Sequence, residues 1–466
     1  MLIPWTLGHT TSQQSNNAGR CVNMIPALDL YGGKDKFYML GWPGLRYWHN
    51  FGKGAEVRAE HIYNGAFYSL VGNKFYRSSV TVPTTTEIGT VSSSSGPAWI
   101  INNSNGQMLV VAGGEGYLYA AGVFGTVADP QFPASVVGAA FLSNYGVVGQ
   151  SGTAGRIWYS GLNDFSVWEP ADYVTAERSP DDTVTVFADH GELLVFGGKT
   201  LEFFYDSGEL EATFRRRQDA FQEVGIASAM SVASADNVVF FLDHNRQVRM
   251  LQGYQTAIIS SEPIAKIMSG LSYVADGRGF AFTFEGRIFY GITFKQAGRS
   301  FVYNYTDSTK IQKHLWFEVQ SNRGLWRGNC LVQDGNTLFV GDHENGNIYQ
   351  LRADEYQDNG EMLKWIVTTQ AIHDAKNGRN IFHDILYLEG ESGFYDEPQV
   401  MMRYSDDNGH LWSDELWESM GSIGEYEHTA EWHRLGMAED RIYEFSGTDA
   451  APRTFRPPKL DARMGR

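Results

Sequence analysis

Cysteine is almost missing from this chain: Cys21 and Cys330 are the only two in 466 residues. Two cysteines cannot form a disulfide framework, and neither stands at metal-ligand spacing from other ligating residues. Both are expected as reduced, buried thiols in a protein that folds in a cytosol. No run of about 18 apolar residues occurs, which excludes a membrane-spanning helix. The opening MLIPWTLGHTTSQQSNNAGR lacks a basic segment followed by an apolar one, so no secretory signal is expected and the protein reads as soluble. Helical patterning is scarce too. The best candidate, ATFRRRQDAFQEVGIASA (212–229), has few apolar positions.

Positive charge is in the minority, with 37 Lys and Arg against 54 Asp and Glu and a net charge of −17. That argues against a surface built to grip a phosphate backbone, which calls for Lys/Arg patches. An acidic wall could still stand beside DNA and let it slide past, although solubility is the simpler use of the charge. The nucleophile and phosphate motifs GxSxG and Walker A are absent, as is a dinucleotide GxGxxG between strand and helix. Gly152, Gly155 and Gly161 belong to a hairpin stretch, QSGTAGRIWYSG.

What the chain has instead is glycine, 51 residues, and aromatic side chains at 14%. Tyr, Phe and Trp suit half-buried pleated surfaces, and Gly supplies tight turns. The two combine in a phrase that occurs seven times: an apolar strand, a Gly or Asp turn, and an aromatic strand. The copies are FYSLVGNKFY (67–76), MLVVAGGEGYLY (108–119), YGVVGQSGTAGRIWY (145–159), LLVFGGKTLEFFY (193–205), VVFFLDHNRQVRML (238–251), RIFYGITFKQAGRSFVY (287–303) and LFVGDHENGNIYQL (338–351). Their expected turn residues, Gly72, Gly113, Gly149, Gly197, Asp243, Gly291 and Gly341, are 41, 36, 48, 46, 48 and 50 residues apart. A repeat of that size fits one four-stranded propeller blade. The predicted fold is therefore all-β: an irregular β-propeller of six or seven blades, seven favoured, with a C-terminal β-sandwich.

The expected organisation has four parts. Residues 1–50 form an extended N-terminal arm, and 51–352 form the propeller. Residues 353–450 hold alternating segments such as NIFHDILYLEGE and PQVMMRYSDD, which suit the sandwich. Residues 451–466 make an extended basic tail with three prolines, carrying Arg453, Arg456, Lys459, Arg463 and Arg466. Such a tail is not expected to bury a core by itself. A neighbouring subunit could order it.

Several constellations invite a chemical reading. SDDNGHLW (405–412) fits an Asp-box, with Ser405, Asp407, Gly409 and Trp412 in register. Asp407 would then accept from turn amides and Trp412 would pack beneath the hairpin. Such boxes recur in sialidase propellers, so a carbohydrate-active enzyme is one alternative, but glycoside hydrolysis needs paired carboxylates or a Tyr nucleophile that nothing singles out. GDHENGN (341–347) offers Asp342, Glu344 and Asn347, yet its glycine is misplaced for a Ca²⁺ loop and a hairpin turn fits better. Asp beside His at 188–190, 242–244 and 382–384 is expected to face opposite sides of a strand. No catalytic, cofactor or metal site is assigned. Arg215, Arg216 and Arg217 are the one compact basic cluster. It could touch a partner's acidic loop or a phosphate, or be paired within the chain.

Beyond Gly155 the residues take on a family character. RIWYSGLNDFSVWEPADYVTAERSPDDTVTVFADHGELLVFGGKTLEFFYDSG (156–208) resembles the packaged-DNA stabilisation, or tail hub, proteins of short-tailed bacteriophages. The matching residues are Trp158 and Ser160 before Leu162 and Asp164, then Ala176-Glu177 with Pro180-Asp181. Phe196-Gly197 follows, with Thr200, Glu202, Phe203 and Gly208. Upstream, Val22-Asn23-Met24 with Pro26, and Pro43-Gly44-Leu45, resemble the opening of the same family; Gly225-Ile226-Ala227 continue it downstream.

The resemblance implies a structural propeller that assembles as a ring, typically a hexamer, beneath the portal and its adaptor. It would close the head after packaging, help form the ejection channel and carry needle, nozzle or fibre proteins. Passing contact with double-stranded DNA, no membrane anchor, no cofactor and assembly in the host bacterial cytoplasm go with that role. Arg215, Arg216, Arg217, Arg453, Arg456, Lys459 and Arg463 are the expected interface residues. A propeller that binds a ligand as a monomer is the other alternative.

Overall fold

The computed structural model describes residues 1–466 except 8–18, 30–36, 53, 177–180, 210–212, 323, 375–377 and 466. Residues 8–18 of the expected arm, and Glu177, Pro180 and Arg466, lie outside the described set. Among the described residues the chain is built almost wholly of strands, with two short helices, α1 (Glu262–Gly270) and α2 (Tyr305–Ile311).

Each of the seven phrases is the central hairpin of a four-stranded antiparallel blade. The innermost strands are Val57–Tyr63, Ala98–Asn102, Val136–Leu142, Thr183–Asp189, Ala233–Ala235, Arg278–Phe284 and Gly328–Asp334. Together they line one central cavity of about 360 Å³. The seventh packs against the first, which closes the circle. Gly44–Asn50 supplies the outer strand of blade seven by pairing with Asn347–Arg352, so the two ends of the propeller are sewn into one blade. Residues 44–50 thus belong to the propeller and not to an arm. Apolar layers fill the space between blades; Phe67 of the first and Phe339 of the seventh meet at 5.4 Å, both nearly fully buried. A ring buried to this degree contributes roughly 2–3 kcal/mol.

The turn glycines divide into two kinds. Gly72 and Gly113 take φ of 54° and 63°, the left-handed conformation that a tight hairpin needs. Gly149, Gly197, Gly291 and Gly341, expected as turns, sit in strands. Their need is for space: a Cβ on Gly341 would come within 2.6 Å of Val57 and of Glu60 in blade one. Asp243 holds its turn by accepting from the amides of Asn245 and Gln247, both at 2.8 Å.

Among the described residues of the stretch 212–229, namely 213–229, there is no helix. Phe214–Gln222 is the outer strand of blade four, paired with Leu201–Asp206. Of its three apolar residues Phe214 and Ala220 are buried and Phe221 is half-buried, while Arg215 and Arg217 are exposed and Arg216 is half-buried.

Blade six does not end at its fourth strand, Trp316–Val319. Cys21–Val22 adds beside it, with Val22 parallel to Glu318 and antiparallel to Ile366. The sheet then runs on through Trp365–Thr368, Asp440–Gly447, Gln399–Ser405 and Leu416–Ser419, with Ile372–His373 attached to Asp440–Gly447, for ten strands in all. The last four in that run form one face of the sandwich. The other face is Thr429–His433, Ile381–Glu389, Met437–Ala438 and Lys459–Met464. Val367, Met402, Tyr443 and Phe445 from the first meet Leu386, Leu388, Trp432 and Leu460 from the second.

Both chain ends are built into this unit. Ile3 and Trp5 are buried, and Trp5 stands edge-on to Phe445 at 5.6 Å. Thr454–Phe455 pairs with Phe37–Gly41, and Lys459–Met464 pairs with the central strand Ile381–Glu389. The expected free tail is thereby corrected. Phe455 and Leu460 are its core-facing residues, buried at 3% and 0% exposure, and Pro457 and Pro458 occupy the bend between two strands.

Candidate functional site

Three places concentrate polar chemistry: the joint between the two units, the wall of the central cavity, and the charged outer strands. The joint is centred on Asn23. With φ of 53° it turns the chain sharply between Cys21–Val22 and Met24–Leu28, a conformation that Asn adopts at lower cost than most residues. Its side-chain amide donates to the carbonyls of Gln320, at 2.9 Å, and Lys364, at 2.7 Å, and its oxygen accepts from the Gln320 amide. Its backbone bonds Glu318 and Trp42. One residue therefore ties blade six, the bridge to the sandwich and the ring-closing segment. Trp42, beside it, packs against Phe282, Phe289, Phe317 and Trp326.

Charged residues in the cavity wall escaped the sequence reading. Arg58 is fully buried and donates to the carbonyls of Gly72, Ser93, Gly96 and Pro97, stitching blade one to the connection that follows it. Burial pushes its guanidinium down to about 10. Arg278 of blade six donates to the Arg58 carbonyl across the ring. Glu60 packs near Cys330 and Gly341, and among the described residues no N–H or O–H donor reaches either buried carboxyl oxygen. Burial pushes its carboxyl up to about 8, offset in part by the Cys330 thiol and Arg278. The signal was present in VRAEHIY: Arg58 and Glu60 are charged residues in a strand whose ends are anchored in the ring.

The expected interface residues fall into two groups. Arg215, Arg216 and Arg217 lie on the outer strand of blade four, where they pair with Glu209, Glu202 and Glu192, and Arg217 also stacks on Tyr205 at 4.6 Å. In the last strands, Arg456 and Lys459 meet Glu389, and Arg463 binds Asp384 through two bonds of 2.6 and 2.7 Å. Arg453 is buried at 4% exposure, donates to the Tyr356 carbonyl and is pushed down to about 10 by burial. All but Arg453 are neutralised by carboxylates of their own chain. Exposed pairs of this kind contribute about 0.2–1 kcal/mol each. The structure does not bring the two groups together into one basic patch.

The remaining motifs are turns. Asp407 accepts from the amides of His410 and Leu411, Ser405 accepts from Gly409, and Trp412 lies half-buried under Arg403 at 4.7 Å. Asp342 accepts from the Glu344 amide and the Tyr349 hydroxyl. His383 is buried on the Tyr443 hydroxyl at 2.7 Å and pushed down to about 4 by burial, while Asp384 faces Arg463 on the outside. Asp189 and His190 depart from the expected opposite facing: His190 takes φ of 48° at the turn, and the two side chains meet at 2.5 Å. No cluster of three or more His, Cys, Asp or Glu that could hold a metal ion occurs among the described residues.

Comparison with known proteins gives two adjoining family matches. The family described as bacteriophage P22 Gp10, beta-propeller, matches residues 1–356, and the one described as bacteriophage P22 Gp10, beta-sandwich, matches 364–463. No curated protein matches the sequence. Similar solved structures include the computationally designed Ika8 protein, at 9% identity over 66% of this chain and 100% of that one, with a TM-score of 0.41. The Pan2 WD40 domain of Neurospora crassa matches at 10% over 66% and 94%, TM-score 0.41, and a chain of the mitotic checkpoint complex at 11% over 65% and 92%, TM-score 0.43.

Proposed function

The chain belongs to the family of bacteriophage P22 Gp10, a phage tail and DNA-stabilisation protein, and from that premise we propose that it works as a structural tail hub. Copies assemble in the host cytoplasm as a ring, a hexamer, below the portal and adaptor. The ring helps retain packaged DNA, forms part of the ejection channel, and carries needle, nozzle or fibre proteins. It performs no catalysis.

The observation that carries this reading is that the two family matches adjoin in order, while the two units they cover share one ten-stranded sheet. A hub must transmit position from the head to distal parts, and a sheet that crosses the joint at Cys21–Val22 suits a rigid connector better than a linker would. An acidic balance suits a channel wall that must not hold DNA as it passes. Mutual contacts would use large mixed surfaces.

The test is the mass of the purified protein, alone and mixed with portal–adaptor assemblies of a short-tailed phage. Joining the assembly as a closed ring is the expected result. A chain that stays monomeric in every mixture would overturn the reading. Glycan hydrolysis assays address the enzymatic alternative, with no turnover expected.

A further inference from the structure

At one end of the sandwich, two connections meet: 390–398, after Ile381–Glu389, and 420–428, before Thr429–His433. They carry large apolar side chains into solvent. Phe394, Ile423 and Tyr426 are exposed at 58%, 68% and 65%, and the Phe394 and Tyr426 rings stand edge to face at 5.5 Å. These loops are well tied. Gly424 donates to the Gly393 carbonyl at 2.9 Å, the Ser392 hydroxyl to the Glu425 carbonyl at 2.9 Å, and the Ser422 amide to the Glu425 carboxylate at 2.8 Å. Gly393 is needed because a Cβ there would come within 2.7 Å of the Tyr426 ring. An ordered frame that holds aromatic rings out in water is unusual for a surface with no partner.

The surroundings select what that partner carries. Glu391, Asp396, Glu397, Glu425 and Glu427 are all exposed around the rings. No Lys or Arg occurs between Arg379 and Arg403, nor between Arg403 and Arg434. A groove of about 650 Å³ runs beside Tyr426 along Glu389, Glu391 and Glu427, and Arg456, the one Lys or Arg among its described lining residues, already pairs with Glu389 at 3.5 Å. Nucleic acid and acidic surfaces are repelled from such a place. A planar guanidinium is favoured, since it stacks on an aromatic face and bonds carboxylates at its edge, which a lysine does less well.

We propose that this aromatic, carboxylate-rimmed tip is a docking surface for an arginine-bearing extended segment of a different protein. The inference stands on the tip alone and does not depend on the hub reading, so either can fail without the other.

The probe is a fluorescein-labelled dodecapeptide in which Arg alternates with Gly and Pro, titrated against the full chain beside its Lys and Glu counterparts. The Arg peptide binds saturably and more weakly in salt, the Lys peptide binds about threefold to tenfold more weakly, and the Glu peptide does not bind. Phe394→Ala with Tyr426→Ala, and separately Asp396→Asn with Glu427→Gln, each weaken binding about tenfold with thermal melting unchanged. Tyr426→Phe keeps the ring and stays within about twofold of the parent, which separates stacking from loss of fold. Hydrogen-exchange protection by the peptide maps to 390–398 and 420–428. Unchanged binding by both double variants, equal affinity for Lys and Arg peptides, or protection elsewhere overturns the proposal. A mass change of the protein alone on Tyr426→Ala also overturns it, because a second copy would then be the occupant.

Discussion

The propeller and the sandwich solve the same problem of β-sheet edges in opposite ways. In the propeller, every inner strand faces its neighbour around a ring, and Gly44–Asn50 closes the last blade from the chain's other end. The sandwich stays open: its sheets end at strands such as Leu416–Ser419, and it borrows Cys21–Val22 and residues 1–6 to complete its core. Charge divides the same way. Residues 353–466 hold 23 acidic against 11 basic residues, a net of −12, while the three-fold longer stretch 1–352 holds 31 against 26, a net of −5. The near-neutral ring is a scaffold closed between its first and seventh blades. The acidic, open-edged unit, with its solvent-facing aromatic tip, is where the chain turns outward.

The difference can be broken most severely at the segment both units share. Removing residues 1–50 takes the closing strand from blade seven and the bridging strand from the joint. The cooperative thermal transition is expected to vanish, with apolar dye binding at room temperature; a truncated chain that melts like the parent would show that the ring closes without its outer strand.

Asn23→Ala is the gentler cut. It deletes three side-chain bonds that join blade six to the sandwich bridge and leaves Ala at φ of 53°. Stability should fall by roughly 2–4 kcal/mol, and unfolding should split into two calorimetric steps, the sandwich first. A single step shifted as a whole would mean that the apolar packing around Trp42 couples the units instead.

Glu60→Gln sharpens the contrast from the propeller side. The Glu60 carboxyl is held up to about 8 in the folded chain, against an ordinary value of 4.5. The folded state therefore keeps a proton that the unfolded state loses, so this group's effect is to lower stability as pH rises from about 4.5 to about 8. The variant should flatten that part of the melting-temperature profile by several degrees and leave pH 4 almost unchanged. A profile that keeps its slope would place the cause elsewhere.

The smallest effects belong to the surface arginines. Arg217→Ala in blade four and Arg463→Ala in the sandwich each remove an ion pair within the chain, and each should cost at most about 1 kcal/mol in denaturant unfolding. A larger loss at Arg463 alone would mean that the last strand needs its charge to stay paired.

The ring was readable because each blade states its own hairpin locally, as in FYSLVGNKFY around Gly72. The sandwich was readable as alternation, but its completion was not. Cys21–Val22 is two residues long and pairs with strands about 300 residues away, a contact that no local pattern announces. The tail misled for a related reason: its arginines and prolines read as solvated, while burial of Phe455 and Leu460 depends on Phe37–Gly41 and Ile381–Glu389 being in place. At the candidate surfaces, the basic residues were visible and their carboxylate partners were not, because Glu192, Glu389 and Asp384 are brought to them only by strand register. The Phe394–Tyr426 tip likewise joins two loops 30 residues apart.

The most direct test of the structural hub is DNA retention. Heads packaged with DNA but lacking this protein are mixed with the purified chain, challenged with nuclease and sedimented. The chain is expected to travel with the heads as a ring, and their DNA to become resistant. DNA that stays digestible while the chain remains at the top of the gradient would contradict it.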